Sequence, residues 1–385
     1  MRSVLKDKLV SHASWGCALF LAVLFSLGGS AHALDVTPPI ISTIASVPTQ
    51  DIATITWKTN EPSTSQVHYG LTEAYGSATR HYTTLPYAHS VVVSGLAPGT
   101  LYHYSVRSVD AAGNVSLSAD QTFTTAPFTQ TPLEVFVLAG QSNMIGATAY
   151  VSELPPDLLQ PQNNVLVWQG GTWVPLVPGQ APLQANDHFG PEVTFAKAMS
   201  QYMGRPIGII KLAVGGSSLA SAWSPDVNLY YYKLLKSVQL AQKNRPIKIV
   251  GMVWVQGGRD AQDQTMANAY QANLRNFVNA TRQDYGNPDM MFVVGGDAPP
   301  TRKFPYWSTV LNAQSSLVMP AYGFTVAQDL PRSDGMHFTS AGETELGYRL
   351  ASTTISLITL APVSYTAQGL FASFWEMVQQ LIALI

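Results

Sequence analysis

The 385-residue chain has a single cysteine, Cys17, and little charge: 11% of residues are charged and the formal net charge is -2. No basic stripe runs along it, so nucleic acid is not an expected partner. Its N-terminal apolar run, from Cys17 to about Leu27, is shorter than the about 20 residues a membrane span needs. Arg2, Lys6 and Lys8 precede the run, and Ala31-His32-Ala33 follows it with small residues at the two positions a signal peptidase reads. Residues 1–33 therefore read as a signal peptide cleaved after Ala33, and the expected location is secreted or periplasmic. Cys17 precedes the run, whereas a lipoprotein cysteine would follow it. The chain without this segment has no cysteine, which excludes disulfides, a cysteine nucleophile and cysteine-type zinc sites together. Beyond residue 132 histidine is scarce too, with only His188 and His337. That is poor metal ligation, so neither metal nor cofactor is expected, and a metallophosphatase is a weak reading.

Hydrophobic residues make up 46% of the chain, enough for large cores without disulfides. Residues 36–126 alternate apolar and polar positions in short runs with turn signals between them, the mark of an all-β module. Strands are expected at Ile52 to Trp57, Gln66 to Tyr69, Ser90 to Val93 and Gln121 to Thr125. Leu96-Ala97-Pro98-Gly99, followed by Tyr102, resembles the fibronectin type III pattern, in which a tyrosine hydroxyl ties a strand to the preceding corner. Trp57 is expected in the core of this sandwich and not as a sugar platform, and the module's expected role is spacer or docking domain. Residues 127–132 form a Thr/Pro-bearing linker.

From Leu133 apolar runs alternate with helical stretches, the pattern of an α/β domain with a mostly parallel sheet, spanning 133–360. Strands are expected at Glu134 to Leu138, Ile207 to Val214, Ile247 to Val255, Met290 to Val294 and Tyr322 to Val326. Helices are expected at Glu192 to Tyr202, Tyr230 to Gln242, Met266 to Gln283 and Ser340 to Ile355. Residues 361–385 form an amphipathic tail with Leu370, Phe371, Phe374, Trp375, Val378, Leu381, Ile382 and Ile385 on one face. Its polar face carries little positive charge, which favours packing on the domain over membrane contact.

The first α/β strand runs into Gly140-Gln141-Ser142-Asn143-Met144. A serine just past the carboxyl end of a strand, before a helix, suits a nucleophile, because open α/β sheets bind ligands there. A serine nucleophile needs a base. His337 follows Asp334 by three residues in Asp334-Gly335-Met336-His337, a spacing that lets the carboxylate hold the imidazole in one tautomer. Gly215-Gly216-Ser217-Ser218-Leu219, with Trp223 nearby, and Trp254-Val255-Gln256-Gly257-Gly258-Arg259-Asp260 end two further strands on the same edge. Glycines there admit close backbone approach to a ligand, and a glutamine side chain can donate to an oxyanion.

Gly-Gln-Ser-Asn-Met, Val-Gly-Gly-Ser-Ser-Leu, Trp-x-Gln-Gly and Asp-Gly-x-His-Phe, in that order, resemble the four blocks of SGNH hydrolases, in particular the sialate O-acetylesterase-like and acetylxylan esterase-like branch. The resemblance covers Leu133 to Leu360. It implies a flavodoxin-like three-layer fold and metal-free ester hydrolysis, with acyl groups, acetyl above all, removed from carbohydrate. Carried over by position, Ser142 is the nucleophile, His337 the base and Asp334 its partner. The N–H groups of Ser142 and Gly216 and the side chain of Gln256 form the oxyanion hole. Gln141, Asn143, His188, Trp223, Arg259 and Asp260 are candidate substrate contacts. One departure stands out: Gly258 occupies a position where the branch has glutamate. It keeps open a glycan-binding protein without turnover, while a lipid esterase or thioesterase is a further alternative.

Overall fold

The computed structural model describes residues 35–127, 131–180, 187–227, 229–297 and 301–360. The expected signal peptide, the C-terminal tail and the middle of the linker lie outside the described residues.

The first part is an all-β sandwich of β1 (Ile41–Pro48), β2 (Ile52–Thr59), β3 (Gln66–Gly70), β4 (Ser77–Ala78), β5 (Ala88–Ser94), β6 (Leu101–Val109), β7 (Val115–Leu117) and β8 (Gln121–Thr124). One sheet is ordered β1-β2-β5; the other is β4-β3-β6-β7, with β8 also on β6. Period-two alternation points Ala53, Ile55 and Trp57 of β2 inward against Val67, Val91, Val93, Tyr104 and Val106. Trp57 is buried, donates its Nε1–H to Ser108 Oγ at 3.0 Å and stacks on His89, so it is a core residue. The Tyr102 hydroxyl accepts the N–H of Ala97 at 2.9 Å, which closes the tyrosine corner.

The second part contains β9 (Leu133–Gly140), α1 (Ser142–Ile145), β10 (Gln162–Gln169), β11 (Thr172–Leu176), α2 (Glu192–Met203), β12 (Ile207–Ala213), α3 (Tyr230–Asn244), β13 (Ile247–Gly257), α4 (Gln264–Asp284), β14 (Met291–Asp297), α5 (Trp307–Ser315), β15 (Tyr322–Thr325) and α6 (Ser340–Leu360). The sheet order is β11-β10-β12-β9-β13-β14-β15. Every pairing is parallel except β10 with β11. Alternate residues of β9 feed opposite faces. Val135, Val137 and Ala139 pack with α3, α4 and α5 through residues such as Leu234, Phe277 and Val310. Phe136 and Leu138 pack with α2 and α6 through Phe195, Met199, Leu346 and Leu350. The result is a three-layer α/β fold.

This order positions the site. The chain leaves β9 toward β10, β11 and β12, then crosses to β13, β14 and β15 on the other side. The strand order reverses around β9, and the crevice outside its carboxyl end is where such sheets bind ligands.

Two features went unread in the sequence. The β10–β11 hairpin carries few apolar residues at its start, Gln162-Asn163-Asn164. Its turn, Gly170-Gly171 with both φ positive (59° and 86°), is nevertheless a strong two-residue hairpin signal. Helix α5 is only nine residues long and follows a segment without a helical stripe.

Candidate active site

Ser142 sits one residue beyond Gln141 at the end of β9 and is the first residue of α1, a position whose N–H has no acceptor inside the helix. Glycine at 140 is a steric requirement: a Cβ there would lie 2.1 Å from the Val255 carbonyl oxygen of β13. The short helix ends at Gly146, left-handed (φ 86°), where a Cβ would come within 1.7 Å of the Phe189 oxygen. Chain geometry thus forces a tight strand-to-helix turn and leaves Ser142 at its apex.

His337 and Asp334 come from the loop before α6. His337 Nε2 is 3.0 Å from Ser142 Oγ, and its Nδ1 is 2.7 Å from Asp334 Oδ2. Asp334 Oδ1 accepts the backbone N–H groups of Met336 (2.9 Å) and His337 (2.7 Å), a local turn that aspartate favours. Burial pushes the Asp334 carboxyl up, but the hydrogen bonds from His337 and Met336 and the neighbouring ring outweigh it and hold the group at about 2. The loop is tied down on the serine side. Asn143 donates to the Met336 carbonyl (3.1 Å) and accepts from the Phe338 N–H (3.2 Å), and Thr148 donates to the Phe338 carbonyl. Arg332 adds a hydrogen bond to the Met336 carbonyl. Asn143, expected as a substrate contact, therefore holds the histidine loop against α1. An imidazole set between a carboxylate and a hydroxyl can take the hydroxyl proton as the oxygen attacks.

These side chains open into a cavity of about 380 Å³ lined by Gln141, Ser142, Asn143, Gly215, Gly216, Arg259, Gln262, Lys303, Phe304, Met336 and His337. A larger cleft of about 850 Å³ lies between the sandwich and α4, remote from Ser142. Gly216, left-handed at φ 65° with open space where a Cβ would be, brings backbone to the cavity. Four lining residues were not singled out from the sequence. Gln262 precedes Asp263, the N-cap of α4, whose side chain accepts the Met266 N–H, and that cap is a readable loop-end signal. Lys303 and Phe304 come from the loop after β14, and the strand-end rule alone points there. Met336 is the neighbour of His337.

Four expectations require correction. Gln256 is fully buried; its Nε2 donates to Asp260 Oδ2 (2.7 Å) and to the Ser217 carbonyl (3.0 Å), and its Oε1 accepts from the Tyr270 hydroxyl (2.9 Å). An amide nitrogen has two N–H donors, both are used, and the side chain does not line the cavity, so it is not an oxyanion donor. Asp260 is also fully buried, and its carboxylate accepts the N–H groups of Leu219 (2.8 Å) and Ala220 (2.9 Å) besides the Gln256 amide. Desolvation raises its pKa and these hydrogen bonds oppose the rise. It organises the loop after β12 and cannot touch substrate. Trp223 is buried, packs on Trp254 and Phe277 and donates its Nε1–H to Ser217 Oγ at 2.7 Å. His188 lies 3.2 Å from the Gly146 carbonyl and packs on Tyr150, off the cavity lining.

Asp260→Ala removes the acceptor of three buried donors. It is expected to cost about 3 kcal/mol or more, read as a lower urea midpoint with unchanged slope.

Gly258 is explained by its surroundings. A Cβ there would lie 3.0 Å from the Gln141 amide nitrogen and 3.4 Å from the Phe304 ring. The Gln141 amide and the Phe304 ring border the space a longer side chain would enter.

Fold and site together define a carbohydrate esterase. The chain belongs to the carbohydrate esterase, sialic acid-specific acetylesterase family, whose model matches residues 132–356. Residues 40–125 match the model of the purple acid phosphatase N-terminal domain, a fibronectin-III-like sandwich. A probable carbohydrate esterase of Arabidopsis thaliana is 25% identical over 247 residues, covering 58% of this chain and 91% of that protein. The X-ray structure of an Arabidopsis thaliana protein superposes with a TM-score of 0.52 at 23% identity, over 59% of this chain and 99% of that one. The crystal structure of a carbohydrate acetylesterase from Xanthomonas citri gives a TM-score of 0.48 at 19% identity, over 85% and 77% of the two chains. The protein is a carboxylic ester hydrolase of the carbohydrate esterase class.

Proposed function

We propose that this protein is an exported serine esterase that removes acetyl groups from carbohydrate through an acyl-enzyme on Ser142. The observation that carries the reading is the continuous Ser142–His337–Asp334 hydrogen-bonded chain at the mouth of the cavity. Ser142 Oγ attacks the ester carbonyl as His337 Nε2 takes its proton. The tetrahedral oxyanion rests on the backbone N–H groups of Ser142 and Gly216, two donors in place of the three expected from the sequence; one such donor is worth about 3 kcal/mol of barrier. His337 then returns the proton to the departing sugar oxygen. Water attacks the acyl-enzyme by the same route in reverse. Arg259 and Lys303 at the cavity contact the sugar, and residues 1–33 direct export.

Acetate release from acetylated carbohydrate by the chain lacking residues 1–33, beside a 4-nitrophenyl ester series, tests the substrate class. Preference for the C2 over the C8 ester supports deacetylation, and the reverse order points to a lipid esterase or thioesterase. Arg259→Ala is expected to raise KM for sugar esters about tenfold, the loss of one charged hydrogen bond. Its kcat for 4-nitrophenyl acetate should stay at the wild-type value.

A further inference from the structure

The β sandwich reaches into the esterase domain with one arginine. Arg80, just after β4, is largely buried (14% side-chain exposure) against an almost completely buried Asp284 (2%) at the end of α4. Its Nη1 donates to the Pro225 carbonyl at 2.6 Å, its Nε lies 3.4 Å from Asp284 Oδ2, and its Nη1 lies 3.6 Å from Asp226 Oδ1. The guanidinium also sits over the rings of Tyr82 (4.8 Å) and Tyr231 (5.2 Å). Both tyrosine hydroxyls donate to the Asp284 carboxylate, Tyr231 at 2.6 Å and Tyr82 at 3.2 Å. The two domains also meet backbone to backbone: a Cβ on Gly95 would lie 2.2 Å from the Gly286 oxygen. A flexible docking module would not need a contact of this kind, because a buried charge is tolerated only where a partner is fixed beside it.

Pro225 belongs to the segment that follows Gly215-Gly216. Two residues before it, Trp223 donates its backbone N–H to the Ser218 carbonyl (3.1 Å) and its Nε1–H to Ser217 Oγ (2.7 Å). Ser217 Oγ in turn donates to the Val214 carbonyl at 2.6 Å. Gly216 lies inside that last loop. A hydrogen-bonded path therefore runs from the sandwich to the cavity wall opposite His337: Arg80, Pro225, Trp223, Ser217.

We infer that Arg80 is a positioning residue for ester hydrolysis, holding from the sandwich the segment that presents the Gly216 N–H to the oxyanion. This rests on the reading of the Ser142 cavity as the active site. The sandwich is then part of the catalytic scaffold, and its loss acts on small esters that no docking module would bind.

The test uses 4-nitrophenyl acetate and the full chain lacking residues 1–33, with Arg80→Ala, Arg80→Lys, Tyr82→Phe and Ser142→Ala compared. Arg80→Ala is expected to lower kcat about ten- to hundredfold, as small misplacements at a distance do, with KM little changed. Added guanidinium ion should restore part of the loss. Arg80→Lys keeps a cation beside Asp284, so it is expected to fold even if Arg80→Ala does not. Its single nitrogen cannot serve Pro225 and Asp284 with the same geometry, so its kcat should also fall. Tyr82→Phe leaves the Pro225 contact in place and should keep wild-type kcat. A folded Arg80→Lys with wild-type kcat, or an Arg80→Ala loss confined to KM or to polymeric substrate, overturns the inference. Turnover surviving in Ser142→Ala would remove the site reading itself, and this inference with it.

Discussion

Ser142→Ala is expected to lower kcat on 4-nitrophenyl acetate by about 10⁴-fold or more, the scale seen when a serine nucleophile is deleted. The side chain's hydroxyl faces His337 Nε2 at 3.0 Å, and neither the core clusters nor the Asp334 turn depends on it. The variant should therefore melt with the wild type while losing the chemical step. KM should change little, because the Arg259 and Lys303 contacts and the cavity wall are untouched. Steady-state rates beside thermal melts check both halves of this expectation.

The second large effect is at Asp334. One oxygen of its carboxylate receives two backbone N–H groups and the other receives the His337 ring. In Asp334→Asn one of those oxygens becomes an NH₂ group, which must face either the ring or the two backbone donors. Either outcome spoils the orientation or tautomer of His337, and the expected loss in kcat is about 10²- to 10⁴-fold. The wild-type carboxyl is held at about 2, so it is ionised at every pH above that. The variant's deficit should then be constant across the neutral and mildly acid range; a deficit appearing only over part of that range would contradict this role. The same depression has a stability consequence. Its ordinary value is 3.8, so the ionised group stabilises the fold above that value, and the contribution is lost as pH falls through about 2. Asp334→Asn should flatten the unfolding free energy against pH over that window.

Much of this was readable from the chain. The strands of the sandwich declare themselves by period-two alternation, and Leu96-Ala97-Pro98-Gly99 with Tyr102 specifies its corner. Buried parallel strands read as continuous apolar runs, and β9, β12, β13, β14 and β15 do so. Ser142, Asp334 and His337 could be paired because a serine esterase needs these groups and the α/β region holds only two histidines. What failed was side-chain direction. Gln256 and Asp260 end a strand that points at the site, yet both turn inward to bind each other, Ser217, Leu219, Ala220 and Tyr270. Sequence spacing places a residue near a crevice but does not say which hydrogen bonds it has already made. Trp223 and His188 failed for the same reason. Lys303 and Phe304 were missed because nothing periodic marks the loop that carries them.

The central claim is that Ser142 is an activated nucleophile. The most direct measurement is reaction of the purified chain with an organophosphorus fluoride, followed by peptide mass spectrometry and residual activity. The account predicts one phosphoryl group per chain, on Ser142, with activity lost in proportion to labelling and neither change in His337→Ala. Full turnover after labelling, or stoichiometric inactivation with the label on another residue, would contradict it.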